Sequence, residues 1–230
     1  VDDPRCAHTA TIPSAVARPA ELHRPLPTAV TNVLPAPVLW SHQVEAIDLI
    51  RRGRSVAIAT PTGSGKSLCY QVPLLEAAAG PDPATALLVF PTKALAQDQV
   101  RSLAGRAVPG LTVVTYDGDT EAAQRSWARS NATVLATNPE MLHHGLLAGH
   151  ERWATFFRRL RHVVVDELHV LRGVFGSHTA HVLRRLRRLC HHYGADPTFV
   201  FTSGTLGEPA RLASELSGLD VVAVIDDGSP

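Results

Sequence analysis

The chain has 230 residues, 45% of them hydrophobic and 19% charged, with a net charge of +1. That length suits one domain of roughly 200 residues plus an extra segment, with the composition of a soluble globule. No apolar run approaches the ~20 residues that span a bilayer, and the near-zero charge does not by itself announce a nucleic-acid binder.

The chain opens at Val1 rather than Met, without a signal-peptide pattern, and is read as a piece of a longer polypeptide. Cys6, Cys69 and Cys190 are scattered, with no CxxC pair. This favours a reducing compartment (bacterial cytoplasm at the nucleoid, or a eukaryotic nucleus) over a disulfide framework or zinc ribbon. Arginine supplies almost all the basic charge, and lysine occurs only at Lys66 and Lys93, each in a loop after an apolar run. A compact ammonium differs from a planar guanidinium fork, so the coincidence points to sites that need the smaller cation.

Residues 1–37 carry seven prolines, from Pro4 to Pro37, and no sustained period; they are read as an extended arm packed over the domain surface. Residues 38–228 are read as the domain. Short apolar runs recur there at Val56–Thr60, Ala86–Phe90, Leu111–Tyr116, Thr133–Thr137, His162–Asp166, Thr198–Thr202 and Val221–Ile225. Helix-like stretches fill most intervals: Lys66–Ala79, Lys93–Leu103, Thr120–Arg129, Glu151–Arg159, Ser177–His192 and Pro209–Leu216. The alternation predicts an α/β fold, a mainly parallel sheet of about seven strands with helices on both faces. Ligands of such sheets bind beyond the strands' C-terminal ends, where the motifs below all fall.

The stretch Thr62-Gly63-Ser64-Gly65-Lys66-Ser67 lies between a strand and a helix. Its glycines let backbone N–H groups approach phosphate oxygens at a helix N-terminus. Lys66 would neutralise β- and γ-phosphates and Ser67 would ligate Mg²⁺, with Thr62 and Ser64 as supporting donors. The strict phosphate-loop pattern asks for Gly where this chain has Thr60. Further on, "HVVVDELH" ends a buried strand with Asp166 and Glu167. Buried carboxylates need partners, so Asp166 is expected to share the Mg²⁺ and Glu167 to activate the water that attacks the γ-phosphate.

These residues, with "FPTKALAQDQ", "TNPEML" and "TSGT", resemble superfamily 2 DExH-box helicases in order and spacing, from about Leu39 to the C-terminus. "LWSHQ", "TYDGDT" and "DELHVLRGVFGSH" look like the branch typified by mitomycin repair factor A. The resemblance implies the first RecA-like lobe of an ATP-dependent DNA helicase, moving 3′-to-5′ on single-stranded DNA in repair. Its second lobe would lie outside this chain, making the fragment weak or inactive alone. It implies that Gln43 reads adenine, so the nucleotide is ATP; a polar residue at a helix start is the plainer alternative. Thr92, Lys93, Thr137 and Asn138 would contact the nucleic-acid backbone, against ordinary helix capping. His169 would link the ATP site to Ser203 and Thr205. The family pattern there is Ser-Ala-Thr, and Gly204 is expected to loosen the loop.

Other readings stay open: an RNA helicase, a double-strand DNA translocase, or a non-catalytic ATP-gated binding module. Between Gly173 and Gly176, Phe175 reads either as a wedge on a flexible loop or as core. The arginines of "HVLRRLRRLC" read as a solvated face or a DNA patch, and the histidine pairs as no metal site. Asp226–Pro230 reads as a linker-like tail.

Overall fold

The structure is a computed structural model that describes residues 16–82 and 84–230; the first part of the arm, with Cys6, lies outside the described residues. Seven strands form one sheet: β3 (Ser55–Ala59), β4 (Thr85–Val89), β5 (Val113–Thr115), β6 (Val134–Thr137), β7 (Leu160–Val165), β8 (Thr198–Ser203) and β9 (Val221–Val224). Their order is β5-β6-β4-β7-β8-β3-β9, and every pairing is parallel.

Successive strand side chains point to opposite faces, and continuous apolar runs therefore serve two cores. Ala57, Leu87, Val163, Val165, Phe199 and Phe201 face one layer, built from α8 (Gly173–His192), α9 (Pro209–Ser217) and residues 142–158. Their neighbours Val56, Ile58, Ala86, Leu88, Val164 and Val200 face the other. That layer holds α2 (Ser41–Arg51), α3 (Lys66–Ala79) and α4 (Lys93–Ala104). Each of the valines, leucines, isoleucine and phenylalanines among these strand side chains stabilises the fold by about 1.5–3 kcal/mol through burial. Among the described residues no helix is long and apolar enough to cross a membrane.

The arm is not featureless. A two-residue strand β1 (Pro19–Ala20) pairs antiparallel with β2 (Leu39–Trp40), and a short helix α1 (Thr28–Thr31) lies between them. Ala20, Leu22, Leu26 and Leu34 pack on a small cluster of Leu39, Val44, Ile47 and Val72. Helix α5 (Ala122–Asn131) crosses from β5 to β6, and α6 (Pro139–Met141) is one turn that widens into a π-helix at Leu142–Leu147. The stretch expected as one helix at Glu151–Arg159 divides into a 3₁₀ turn, His150–Trp153, and α7 (Ala154–Arg158).

Three expectations need correction. The Gly173–Gly176 segment is the first turn of α8, not a flexible loop. Gly176 is a packing glycine: a Cβ there would lie 2.4 Å from the Leu171 carbonyl oxygen. Phe175 is 41% exposed and so is not core. The arginine face of α8 is solvated only in part: Arg184 and Arg188 are exposed, Arg185 and Arg187 are half-buried, and three of the four are tied to neighbouring carbonyls. Arg184 and Arg187 donate to Glu215 O and Ser217 O at the C-terminus of α9 (2.6 and 2.8 Å), where the helix dipole favours cations. Arg185 donates to Leu147 O (3.0 Å). The tail after β9 is docked on the start of α2 through Gly228.

Candidate functional site

The phosphate loop joins β3 to α3. Gly63 and Gly65 adopt positive φ (92° and 80°), open to glycine without strain. A Cβ on Gly65 would also meet Gln43 Nε2 at 2.5 Å. Thr60 explains its own departure from the pattern: it is fully buried, and its hydroxyl lies 2.7 Å from that of Ser64, bracing the loop from inside. Lys66 Nζ donates to Thr60 O (2.8 Å) and Pro61 O (2.7 Å). Burial pushes the pKa of Lys66 down, while Asp166 and Glu167 act in the opposite direction. Thr62 is exposed at the rim.

The acidic pair follows β7. Asp166 N still donates to Val89 O (3.0 Å), continuing the ladder. Asp166 Oδ1 accepts from Glu167 N (2.9 Å) and from the Thr202 hydroxyl at the end of β8. Both donors use Oδ1; Oδ2 takes no hydrogen bond from the described residues. Glu167 is the only described non-glycine residue with positive φ (55°), a conformation that costs about 1–2 kcal/mol. The turn sends its carboxylate to His169, whose Nδ1 lies 3.1 Å from Glu167 Oε2 and 3.3 Å from Ser203 Oγ. Thr205 is exposed and stands outside this chain of contacts.

A cavity of about 480 Å³ gathers Lys66, Ser67, Asp166, Glu167 and His169 on its wall. Tyr70, Leu95, Gln99 and Thr202 also line it, and none of them stood out in the sequence. Tyr70 follows Ser67 by three residues, one helical turn, which is the signal that could have found it. Its hydroxyl donates to Gln99 Oε1 (2.8 Å), linking α3 to α4. A larger cavity, about 600 Å³, opens between α8 and α9 away from the phosphate loop, so size does not select the site.

Gln43 is buried against the phosphate loop. Its Oε1 accepts from Trp40 N (2.9 Å), and its Nε2 donates to Gly65 O (3.1 Å). An adenine edge would have to take over those bonds. The nucleic-acid candidates sit at the ends of the adjacent strands β4 and β6. Thr92 caps α4, and Asn138 Oδ1 accepts from Met141 N (2.8 Å) to cap α6. Thr137 is buried, and its hydroxyl donates to Tyr116 O (2.8 Å). Lys93 Nζ is exposed and pairs with Asp119 (2.6 Å). Asp119 belongs to a turn braced by Arg125, whose guanidinium lies 5.5 Å from the centre of the Tyr116 ring.

A parallel sheet with a phosphate loop after one strand and an Asp-Glu pair after another defines a RecA-like nucleotide-binding lobe. Residues 40–212 match the DEAD/DEAH box helicase family, and the chain belongs to that family. It is 41% identical over 217 residues to the ATP-dependent helicase YprA of Bacillus subtilis (strain 168), covering 90% of this chain and 29% of that protein. It is 42% identical over 231 residues to the ATP-dependent helicase HRQ1 of Saccharomyces cerevisiae, covering 97% and 21%. The crystal structure of the DUF1998 helicase MrfA bound to DNA and AMPPNP superposes with a TM-score of 0.90 at 39% identity, covering 94% of this chain and 31% of that one. The chain thus spans less than a third of the length of these relatives.

Proposed function

We propose that residues 38–228 are the first lobe of an ATP-dependent DNA helicase or translocase, preceded by an arm and completed by a second lobe. The observation that carries this reading is the single cavity that brings Lys66 and Ser67 to Asp166 and Glu167. Lys66 is held by two carbonyls that γ-phosphate oxygens would replace as partners. Glu167, aimed by its left-handed backbone, takes the proton of the attacking water.

Mg²⁺ fits the residues present. Ser67 and Asp166 line one cavity, and Asp166 keeps Oδ2 free of hydrogen bonds from the described residues. Among those residues no group of three or more His, Cys, Asp or Glu could hold a metal. With only Ser67 and Asp166 to hold it, the ion would take its remaining ligands from phosphate and water. These two residues would hold it, and it would supply charge neutralisation to the bound nucleotide's phosphates.

His169 connects the water-activating carboxylate to Ser203, and so to the loop after β8. That contact is a physical path from γ-phosphate state to the tracking surface. The resemblance implies a second lobe that supplies arginines to the transition state, so these 230 residues alone are expected to turn over ATP slowly. DNA as substrate is supported by the likeness to MrfA, a helicase crystallised with DNA. Movement 3′-to-5′ on single strands and a role in repair follow from the resemblance.

The test is steady-state ATP turnover by the full-length protein with single-stranded DNA, duplex DNA or single-stranded RNA at one salt concentration. Stimulation by single-stranded DNA alone supports the reading. Stimulation by RNA moves the protein to the RNA-directed branch, duplex-only stimulation to a translocase, and absent turnover to a binding module.

A further inference from the structure

Three segments distant in sequence meet beside the phosphate loop. Gly228 O accepts from Arg18 N (2.8 Å), and Arg18 O accepts from Ser41 N (2.8 Å). Gly228 N donates to His42 Nδ1 (3.2 Å). Tail, arm and the first turn of α2 are therefore joined by backbone hydrogen bonds, next to the Pro19–Trp40 rung of the β1–β2 pair. The Arg18 guanidinium forks onto both oxygens of Asp226 (2.6 and 2.7 Å) and reaches Asp227 O (2.6 Å).

Gly228 is buried at the centre, and a Cβ there would stand 2.2 Å from Ser41 Oγ and 3.0 Å from Ser41 N. His42 is fully buried, and burial lowers its pKa against the opposing pull of Asp227, whose Oδ1 lies 3.4 Å from Nδ1. One residue on, Gln43 donates to Gly65 O in the phosphate loop. The Arg18 and Asp226 side chains are 46% and 73% exposed, so their attraction alone would hold little. Gly228's fit and the backbone bonds supply the grip, and the fork selects the register.

The geometry points to a clasp of Arg18, Asp226 and Gly228 that positions the Gln43 end of α2 against the phosphate loop, so that the arm and the segment after β9 tune nucleotide affinity. This rests on the nucleotide-binding reading above. Arg18 and Asp226 touch no part of the cavity and act as positioning residues.

The full-length protein is titrated with a fluorescent ATP analogue, and turnover is measured at saturating ATP. Gly228→Ala weakens binding about tenfold, because the backbone must shift to admit a methyl group. Arg18→Asp and Asp226→Arg each weaken it about threefold, the scale of an exposed pair. The Arg18→Asp/Asp226→Arg swap recovers most of that loss, since pairing energy is what a double-mutant cycle isolates. Saturating turnover stays within about twofold throughout, a split that loss of folding would not give. Where a reversed variant does not fold, Arg18→Lys keeps the charge without the fork and weakens binding about twofold.

Unchanged affinity in the single variants, or a swap no better than its worse parent, overturns the clasp. A wild-type protein that binds no analogue overturns the nucleotide reading, and the clasp with it.

Discussion

The phosphate-loop end of the sheet and the ends of β4 and β6 are both built at strand C-termini, yet they present polar groups differently. At the first, the groups of the proposed reaction are marked by strain and burial: a left-handed Glu167, a lysine folded onto two carbonyls, a buried Thr60–Ser64 hydroxyl pair. At the second, Thr92 and Asn138 cap helices, Thr137 bonds the neighbouring strand, and Lys93 meets Asp119 in solvent. A reaction site needs groups held where charge develops, and that holding leaves visible distortions. A surface that grips a phosphate backbone needs only what a well-capped helix already has.

Variants of the full-length protein at five positions test that contrast. Lys66→Ala removes the charge facing the phosphates, and turnover falls on the order of 10⁴-fold. A loss below tenfold would make the loop a structural turn. Glu167→Gln keeps the left-handed bend but not the base, and turnover drops on the order of 10³-fold with analogue binding retained. Equal loss of binding and turnover would show that the bend serves affinity instead.

Thr202→Val deletes one donor to Asp166, and the Mg²⁺ needed for half-maximal analogue binding rises about tenfold, while Thr202→Ser restores it. No shift would mean that Glu167 N alone orients the carboxylate. At the other end, Lys93→Ala weakens single-stranded DNA binding and lowers the salt slope by about 0.7, one phosphate's worth on a single strand. An unchanged slope would leave Lys93 as a partner of Asp119 only. The smallest effect is expected from Gly204→Ala. A Cβ there meets nothing within 4 Å, and its φ lies outside the left-handed region. DNA-stimulated turnover should change by less than about twofold.

The same contrast explains what could be read in advance. Helix α3 begins and ends where the sequence placed it, because Gly65 and Gly80 bracket a mostly apolar stretch that continues through Pro73. The strands were legible as apolar runs buried on both faces, and Lys66, Asp166 and Glu167 as charges at their ends. Thr202 was not, because a threonine in a strand looks like β-propensity until its hydroxyl is seen on Asp166. Gln99 carried no signal of its own within "FPTKALAQDQ"; its place on the cavity wall shows only once the Tyr70 hydroxyl meets it from α3. The glycines of "LRGVFGSH" misled in the opposite way. Gly176 suggested freedom, whereas it marks a close approach to Leu171. Asp226–Gly228 looked like a linker because its partners, Arg18 and His42, lie about two hundred residues away.

The strand order has a mechanical consequence. Between β3, which carries the phosphate loop, and β4, which carries Thr92 and Lys93, stand β8 and β7. Three strand spacings amount to about 14 Å, wider than one side chain can bridge. The two intervening strands end in Ser203 and in Val165, just before Asp166 and Glu167. On the proposed reading, a movement begun at the nucleotide would have to cross those two strand ends to reach Thr92 and Lys93, so the sheet itself would be the transmission.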